Sequence, residues 1–169
     1  MSNKRIGIIM GSDSDLAVMS EAAQILDEFK VSYEIRVISA HRTPDVMMRY
    51  ASEAKSNGLQ VIIAGAGGSA HLPGMTASHT PLPVIAVPIK GTGSGHEALW
   101  SNIKMPAGVP LATMPENGAK NAALLAIEIL ALQDQTLAKK YADFRDKQHS
   151  KVQALDSQVS KDWRGHLKA

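Results

Sequence analysis

The chain has no cysteine among its 169 residues. That excludes a disulfide framework, a thiolate nucleophile and any zinc site built on cysteine. Aromatic residues are scarce, at 4%, and without aromatics interleaved among Lys and Arg there is no platform on which nucleic-acid bases could stack. Charge of one sign is lacking too: 18 Lys and Arg against 16 Asp and Glu leave a formal +2. The sequence pI of 8.9 belongs mainly to the tail. Residues 139–169 hold 8 basic and 4 acidic side chains, whereas residues 1–138 hold 10 and 12. No basic stripe of the kind that tracks a phosphate backbone crosses the main body. No apolar run nears the roughly 20 residues of a membrane span. The first residues, Met1–Arg5, lead into a strand-like run without the apolar stretch of a signal peptide. The expectation is a soluble, cytoplasmic chain with neither nucleic acid nor membrane as partner.

What is present is ordinary globular composition, 44% hydrophobic and 20% charged, in a length that suits one domain. Apolar runs at Ile6–Met10, Val61–Ala64 and Val84–Val87 are uninterrupted, the mark of parallel strands buried on both faces. Weaker strands are expected at Tyr33–Ile38 and Val109–Thr113. Between them lie helical periods. From Leu16 the positions Leu16, Met19, Ala22, Ala23, Leu26 and Phe29 keep three-and-four spacing. A second helix opens on Thr43 as cap, Pro44 at the first position and Asp45 in the first turn, and stops near Asn57-Gly58. A third begins near His71-Leu72-Pro73-Gly74, and a fourth spans Asn117–Leu132 with Leu124, Ile127 and Leu130 on one side. A last amphipathic stretch runs from Gln135 to about Lys151, carrying Leu137, Tyr141 and Phe144. This alternation predicts an α/β fold: a three-layer αβα sandwich around a doubly wound parallel sheet, with an extra C-terminal helix. The whole chain reads as a single domain, its core at about 5–132 and the C-terminal helix and basic tail at about 135–169.

Ligands of such sheets bind beyond the carboxyl ends of the strands, and three segments there are unusual. In Gly11-Ser12-Asp13-Ser14-Asp15, a tight turn, hydroxyls and helix-N-terminal amides suit a phosphate, although Ser12, Ser14 and Asp15 serve equally well as helix caps. In Ser39-Ala40-His41-Arg42-Thr43-Pro44, an anion clamp stands beside a group that titrates near neutrality; plain surface residence is the competing reading. In Ala64-Gly65-Ala66-Gly67-Gly68-Ser69-Ala70-His71, glycines let the backbone approach a flat ligand, or simply let a helix pack closely on the sheet. Lys90–Gly95 is a lid or an ordinary loop.

Other chemistries find no signature. There is no phosphate-binding Walker sequence, no Gly-x-Gly-x-x-Gly and no Gly-x-Ser-x-Gly elbow. His79, His96, His149 and His166 show no metal-ligand spacing, so no metal is expected.

Taken together, Met10-Gly11-Ser12-x-Ser14-Asp15, Ser39-Ala40-His41-Arg42-Thr43-Pro44 and Ala64-Gly65-Ala66-Gly67-Gly68-x-Ala70-His71-Leu72-Pro73-Gly74 closely resemble class I PurE, the N5-carboxyaminoimidazole ribonucleotide mutase family of purine biosynthesis. Met105-Pro106-Ala107-Gly108-Val109-Pro110 and Asn121-Ala122-Ala123-Leu124-Leu125-Ala126 continue the resemblance, which runs from about Ile6 to Leu132. Departures are Lys104 in place of the usual Gln, a Gly91–Glu97 segment about one residue short, and Met114-Pro115-Glu116-Asn117 in a usually more apolar stretch. Arg42 and Gly67-Gly68 favour this class over the similar carboxylases, which carry Lys after the His and Arg-Ser-Asn at the third motif.

The resemblance implies a flavodoxin-like fold and an isomerase that needs no ATP, metal or organic cofactor. It would move a carboxylate from N5 to C4 of an aminoimidazole ribonucleotide through trapped carbon dioxide, within de novo purine (IMP) biosynthesis. By the same carry-over His41 is the acid/base, Ser12, Ser14, Ser39 and Arg42 face the 5'-phosphate, and Asp15 takes the ribose hydroxyls. Gly67, Gly68, Ser69 and His71 enclose the base and the carbon dioxide. It also implies a homo-octamer with sites between subunits. Alternatives are a carboxylase using free carbon dioxide, or a non-catalytic flavodoxin-like nucleotide-binding module. A flavin site would want flanking aromatics, yet Trp100 and Trp163 lie outside the three segments. A receiver would want a carboxylate cluster with a strand-end Lys, and only Asp13 and Asp15 stand near such a place.

Overall fold

The computed structural model describes residues 4–91 and 96–166. They fall into two compact units, Met1–Ile129 and Leu130–Ala169. In the first, five parallel strands form one sheet: β1 (Ile6–Met10), β2 (Tyr33–Val37), β3 (Val61–Gly67), β4 (Val84–Ile89) and β5 (Ala112–Thr113). Their order is β2-β1-β3-β4-β5, the flavodoxin-like arrangement in which the chain reverses its winding between β1 and β3. β1 and β4 are buried along their whole length and β3 all but its last residue. This is the environment that their unbroken apolar runs require. β2 and β5 are the edges, half-buried or exposed, which accounts for their weaker patterns. β5 is shorter than expected, two residues instead of five, because Pro110 has no N–H to give to a ladder.

Helix α1 (Leu16–Phe29) covers one face. It buries Met19, Ala22, Ile25, Leu26 and Phe29. Leu16, expected on this stripe, lies exposed at the first turn, and Ile25 is buried instead. Contact with the sheet is close: a Cβ on Gly65 would collide with the sulfur of Met19, so any larger residue there would force the Met19 side chain to shift. The opposite face carries α2 (Pro44–Glu53), α3 (His71–His79) and α4 (Glu97–Ile103). Met47, Leu72 and Ala98 from these helices share one apolar cluster with Ile9, Ile62, Ala64 and Val84. The helix–sheet–helix layering is as expected.

The sequence reading also differs at α2 and α4. α2 ends at Glu53, and the chain continues in turns to Gly58, where φ is +90°. α4 has no counterpart among the expected helices: seven residues are too few to show a helical period. Helix α5 (Ala119–Ala131) buries Ala119, Ala122, Ala123, Ala126, Ile127 and Leu130, while Leu124 is half-buried.

The second unit is dominated by α6 (Gln135–Lys161). Asp134 caps it, its carboxylate accepting from the Leu137 N–H at 3.0 Å. The helix runs ten residues past the expected Lys151, since nothing from Val152 to Lys161 is Gly or Pro. Tyr141 and Phe144 stack at 6.3 Å between ring centroids. Among the described residues no helix is long and apolar enough to cross a membrane.

Candidate active site

Loops leaving the carboxyl ends of β1, β2, β3 and β4 meet over the β1/β3 reversal point and enclose a cleft of about 730 Å³. Ser12, Ser14, Asp15, Ser39, His41, Arg42, Gly67 and His71 all line it. Three segments far apart in sequence thus converge on one space.

The β1 loop is held by its own side chains. Ser12 accepts the Ser14 N–H at 3.3 Å, and Asp15 in turn accepts the Ser12 N–H at 3.1 Å. This reciprocal capping box satisfies the cap reading of these residues while still leaving them on the wall of the cleft. Asp15 is only 8% exposed. Burial raises its carboxyl above the ordinary range; the hydrogen bonds from Ser12 and Ser14 oppose that, and the nearby Asp13 charge adds to it.

The β2 loop is knotted around Ser39. Its hydroxyl accepts from the Arg42 backbone N–H at 3.2 Å and from Arg42 Nε at 3.3 Å. Arg42 also donates through Nη2 to the Gly11 carbonyl at 2.9 Å, which ties the β2 loop to the β1 loop. Thr43 occupies the cap position of α2, but its hydroxyl makes no cap bond. It donates instead to the Ser39 carbonyl at 3.0 Å and accepts the Ser39 N–H at 3.1 Å. Thr43 therefore shapes the loop that presents His41 and Arg42.

The β3 loop turns through two left-handed residues, Gly68 at φ +58° and Ala70 at φ +43°. Ala70 is buried, and its N–H donates to the Gly67 carbonyl at 3.0 Å. A left-handed alanine costs about 1–2 kcal/mol, a strain held in place by the surrounding packing. The turn delivers His71 as the first residue of α3. There His71 Nδ1 lies 2.7 Å from His41 Nε2, the two rings edge to face at 83°. Gly68 and Ser69 are not on the wall of the cleft. The Ser69 carbonyl accepts from the Ser101 hydroxyl at 2.6 Å, tying the turn to α4.

Ile89, Lys90 and Gly91 complete the lining. Lys90, read from the sequence only as the start of a lid or ordinary loop, is a lining residue; its place just past the end of β4 is the signal that could have marked it as one. Its backbone N–H is held by the Asn117 side chain at 3.0 Å. Residues 92–95 of the Lys90–Gly95 loop lie outside the described residues. Among the described residues no group of three or more His, Asp or Glu is placed to hold a metal ion.

The cleft thus offers an imidazole pair, a guanidinium, a buried carboxylate, hydroxyls and backbone amides. Such a set can bind an anionic, hydroxylated small molecule and move a proton on it. The family model described as AIR carboxylase matches residues 5–151. The chain belongs to the AIR carboxylase family. One relative is the N5-carboxyaminoimidazole ribonucleotide mutase of Thermotoga maritima, 54% identical over 149 residues, covering 88% of this chain and 87% of that protein. Another is the phosphoribosylaminoimidazole carboxylase of Schizosaccharomyces pombe, 58% identical over 142 residues. There the match covers 83% of this chain but only 26% of the relative, so the chain spans about a quarter of that larger protein. The crystal structure of Treponema denticola PurE superposes with a TM-score of 0.84 at 30% identity, covering 91% of this chain and 97% of that one. All three motif segments lie inside the family match; the C-terminal part of α6 lies beyond it.

Proposed function

We propose that this member of the AIR carboxylase family is an N5-carboxyaminoimidazole ribonucleotide mutase, an isomerase of purine biosynthesis. One observation carries the choice of mutase: the T. maritima mutase matches this chain over nearly the full length of both. The S. pombe carboxylase is matched only over a part.

In the proposed chemistry the N5 carbamate breaks its N–C bond, the electron pair staying on N5 and taking a proton from His41. Carbon dioxide is held in the cleft. C4 then attacks it, and His41 removes the C4 proton to restore the aromatic ring. No proton is gained or lost overall, so one imidazole serves both steps. Arg42 stands ready as a clamp for the 5'-phosphate, together with Ser12, Ser14 and Ser39. Asp15 accepts from the ribose hydroxyls. The turn from Gly67 through Gly68 and Ser69 to His71 encloses the base and the carbon dioxide, with Gly67 and His71 on the wall of the cleft. The two compact units act as one functional domain, working in the cytoplasm as a homo-octamer with sites between subunits.

The test is an ATP-free assay of the purified chain. N5-carboxyaminoimidazole ribonucleotide is expected to convert to the 4-carboxy product faster than aminoimidazole ribonucleotide with bicarbonate does at matched concentration. Conversion of the second substrate pair alone would make the chain a carboxylase. No conversion of either would leave a nucleotide-binding module.

A further inference from the structure

The proposed chemistry gives His41 two opposite tasks, and the imidazole pair decides which nitrogen performs them. A contact of 2.7 Å between His41 Nε2 and His71 Nδ1 holds one hydrogen: one ring donates and the other accepts. We propose that His71 is a positioning residue that accepts from His41 Nε2–H throughout turnover, so that Nδ1 of His41 alone serves as acid and base. This rests on the mutase reading above.

Two points favour that direction of the bond. To act as an acid His41 must at one stage carry protons on both nitrogens. With His71 Nδ1 as acceptor the contact survives that stage. With His71 as donor, two N–H groups would face each other, and the contact would have to break in every cycle. His71 is also the first residue of α3, a nine-residue helix, where unpaired N–H groups make the surroundings electropositive. The pair's positive charge is therefore better carried on His41. The other charged side chains on this cleft are Asp15, Arg42 and Lys90, and Arg42 is already engaged with Gly11 and Ser39.

The consequence is a fixed tautomer. His41 gives its Nδ1 proton to N5 as the carbamate N–C bond breaks. It is left neutral with Nε2–H still donated and an Nδ1 lone pair aimed at the substrate. When C4 bonds to carbon dioxide, the C4 proton returns to that same Nδ1. No tautomer exchange or ring flip intervenes. Orientation of a catalytic imidazole by a hydrogen-bonded neighbour is the logic of the serine-protease triad, here with a second imidazole in the orienting place.

The experiment is long-range ¹H–¹⁵N NMR of the histidine rings in the full-length free protein, with His41→Asn and His71→Phe providing assignment. The expected pattern is a protonated Nε2 on His41 facing a bare Nδ1 on His71, whether or not Nδ1 of His41 carries its proton. In His71→Phe the His41 signals should average between tautomers. Its kcat should fall by about tenfold or more while KM stays within about threefold. His71→Asn, whose amide oxygen can stand near the lost Nδ1, should recover kcat to within about threefold of the parent; should the Phe variant misfold, the protonation pattern of the parent's two rings still decides the direction of the bond. A protonated Nδ1 on His71, or a Phe variant with unchanged His41 signals and parental kcat, overturns the assignment. Because the NMR reads the free protein, its outcome is independent of the turnover assay: absence of mutase activity would sink the functional reading and, with it, the catalytic role of the pair.

Discussion

The strand-end loops and helix α6 are built on opposite terms. Each loop is a few residues long and leaves a buried or ladder-paired strand, so its side chains inherit their positions from the sheet. Arg42 reaches Gly11 across 31 residues of sequence, and His41 meets His71 across 30. α6 is 27 residues long, and Leu137 is its one buried side chain among those described. Val152, Leu155 and Val159 lie exposed along it. Substitutions in the loops should therefore change chemistry while leaving the fold alone. Loss of α6 should change assembly first and chemistry only through it.

The sharpest way to break this contrast is His41→Asn. The amide keeps much of the ring's size and polarity but cannot carry a proton at neutral pH. Turnover should fall by at least about 10²–10⁴-fold, the usual share of an acid–base group, with nucleotide affinity and thermal stability near the parent's. Activity within tenfold of the parent would remove His41 from the role.

Arg42→Ala should act on binding. Loss of a charge-assisted contact of about 1.5–3 kcal/mol corresponds to roughly a 10- to 150-fold weaker KM. The chemical step should be less affected, and the dephosphorylated nucleoside should no longer tell variant from parent. A variant that still discriminates against the nucleoside would show that Arg42 is not the phosphate clamp.

Truncation after Leu132 sharpens the other side. Light scattering should show smaller species than the parent's, with activity reduced but measurable, because the proposed octamer would build its sites between subunits. An intact octamer with full activity would make α6 a dispensable surface helix.

What can be read in the sequence follows the same division. Ile6–Met10 and the starts of β3 and β4 are legible because strands buried on both faces must be apolar at every position. The start of α2 is legible from Thr43-Pro44, even though the Thr43 hydroxyl bonds the loop and not the helix. The three site segments are visible as chemistry, each with a structural reading beside it. What no local pattern can show is the contact of His41 with His71, which depends on β2 and β3 both flanking β1. Nor can it show the left-handed Ala70, a conformation that alanine does not favour and that only tertiary packing imposes. α4 escapes because seven residues after a glycine-rich loop carry too little periodicity. The expected end of α6 falls ten residues early because the stripe through Leu137, Tyr141 and Phe144 gives no stop signal of its own, and no helix breaker intervenes before Lys161.

The central claim is that the carboxylate travels within the cleft, from N5 to C4, without leaving it. It is tested most directly by labelling the N5 carboxylate with ¹³C and running the reaction in unlabelled bicarbonate. The account predicts that the 4-carboxy product retains the label, because the carbon dioxide formed is captured before it escapes. A product carrying the unlabelled carboxylate of the surrounding pool would contradict it.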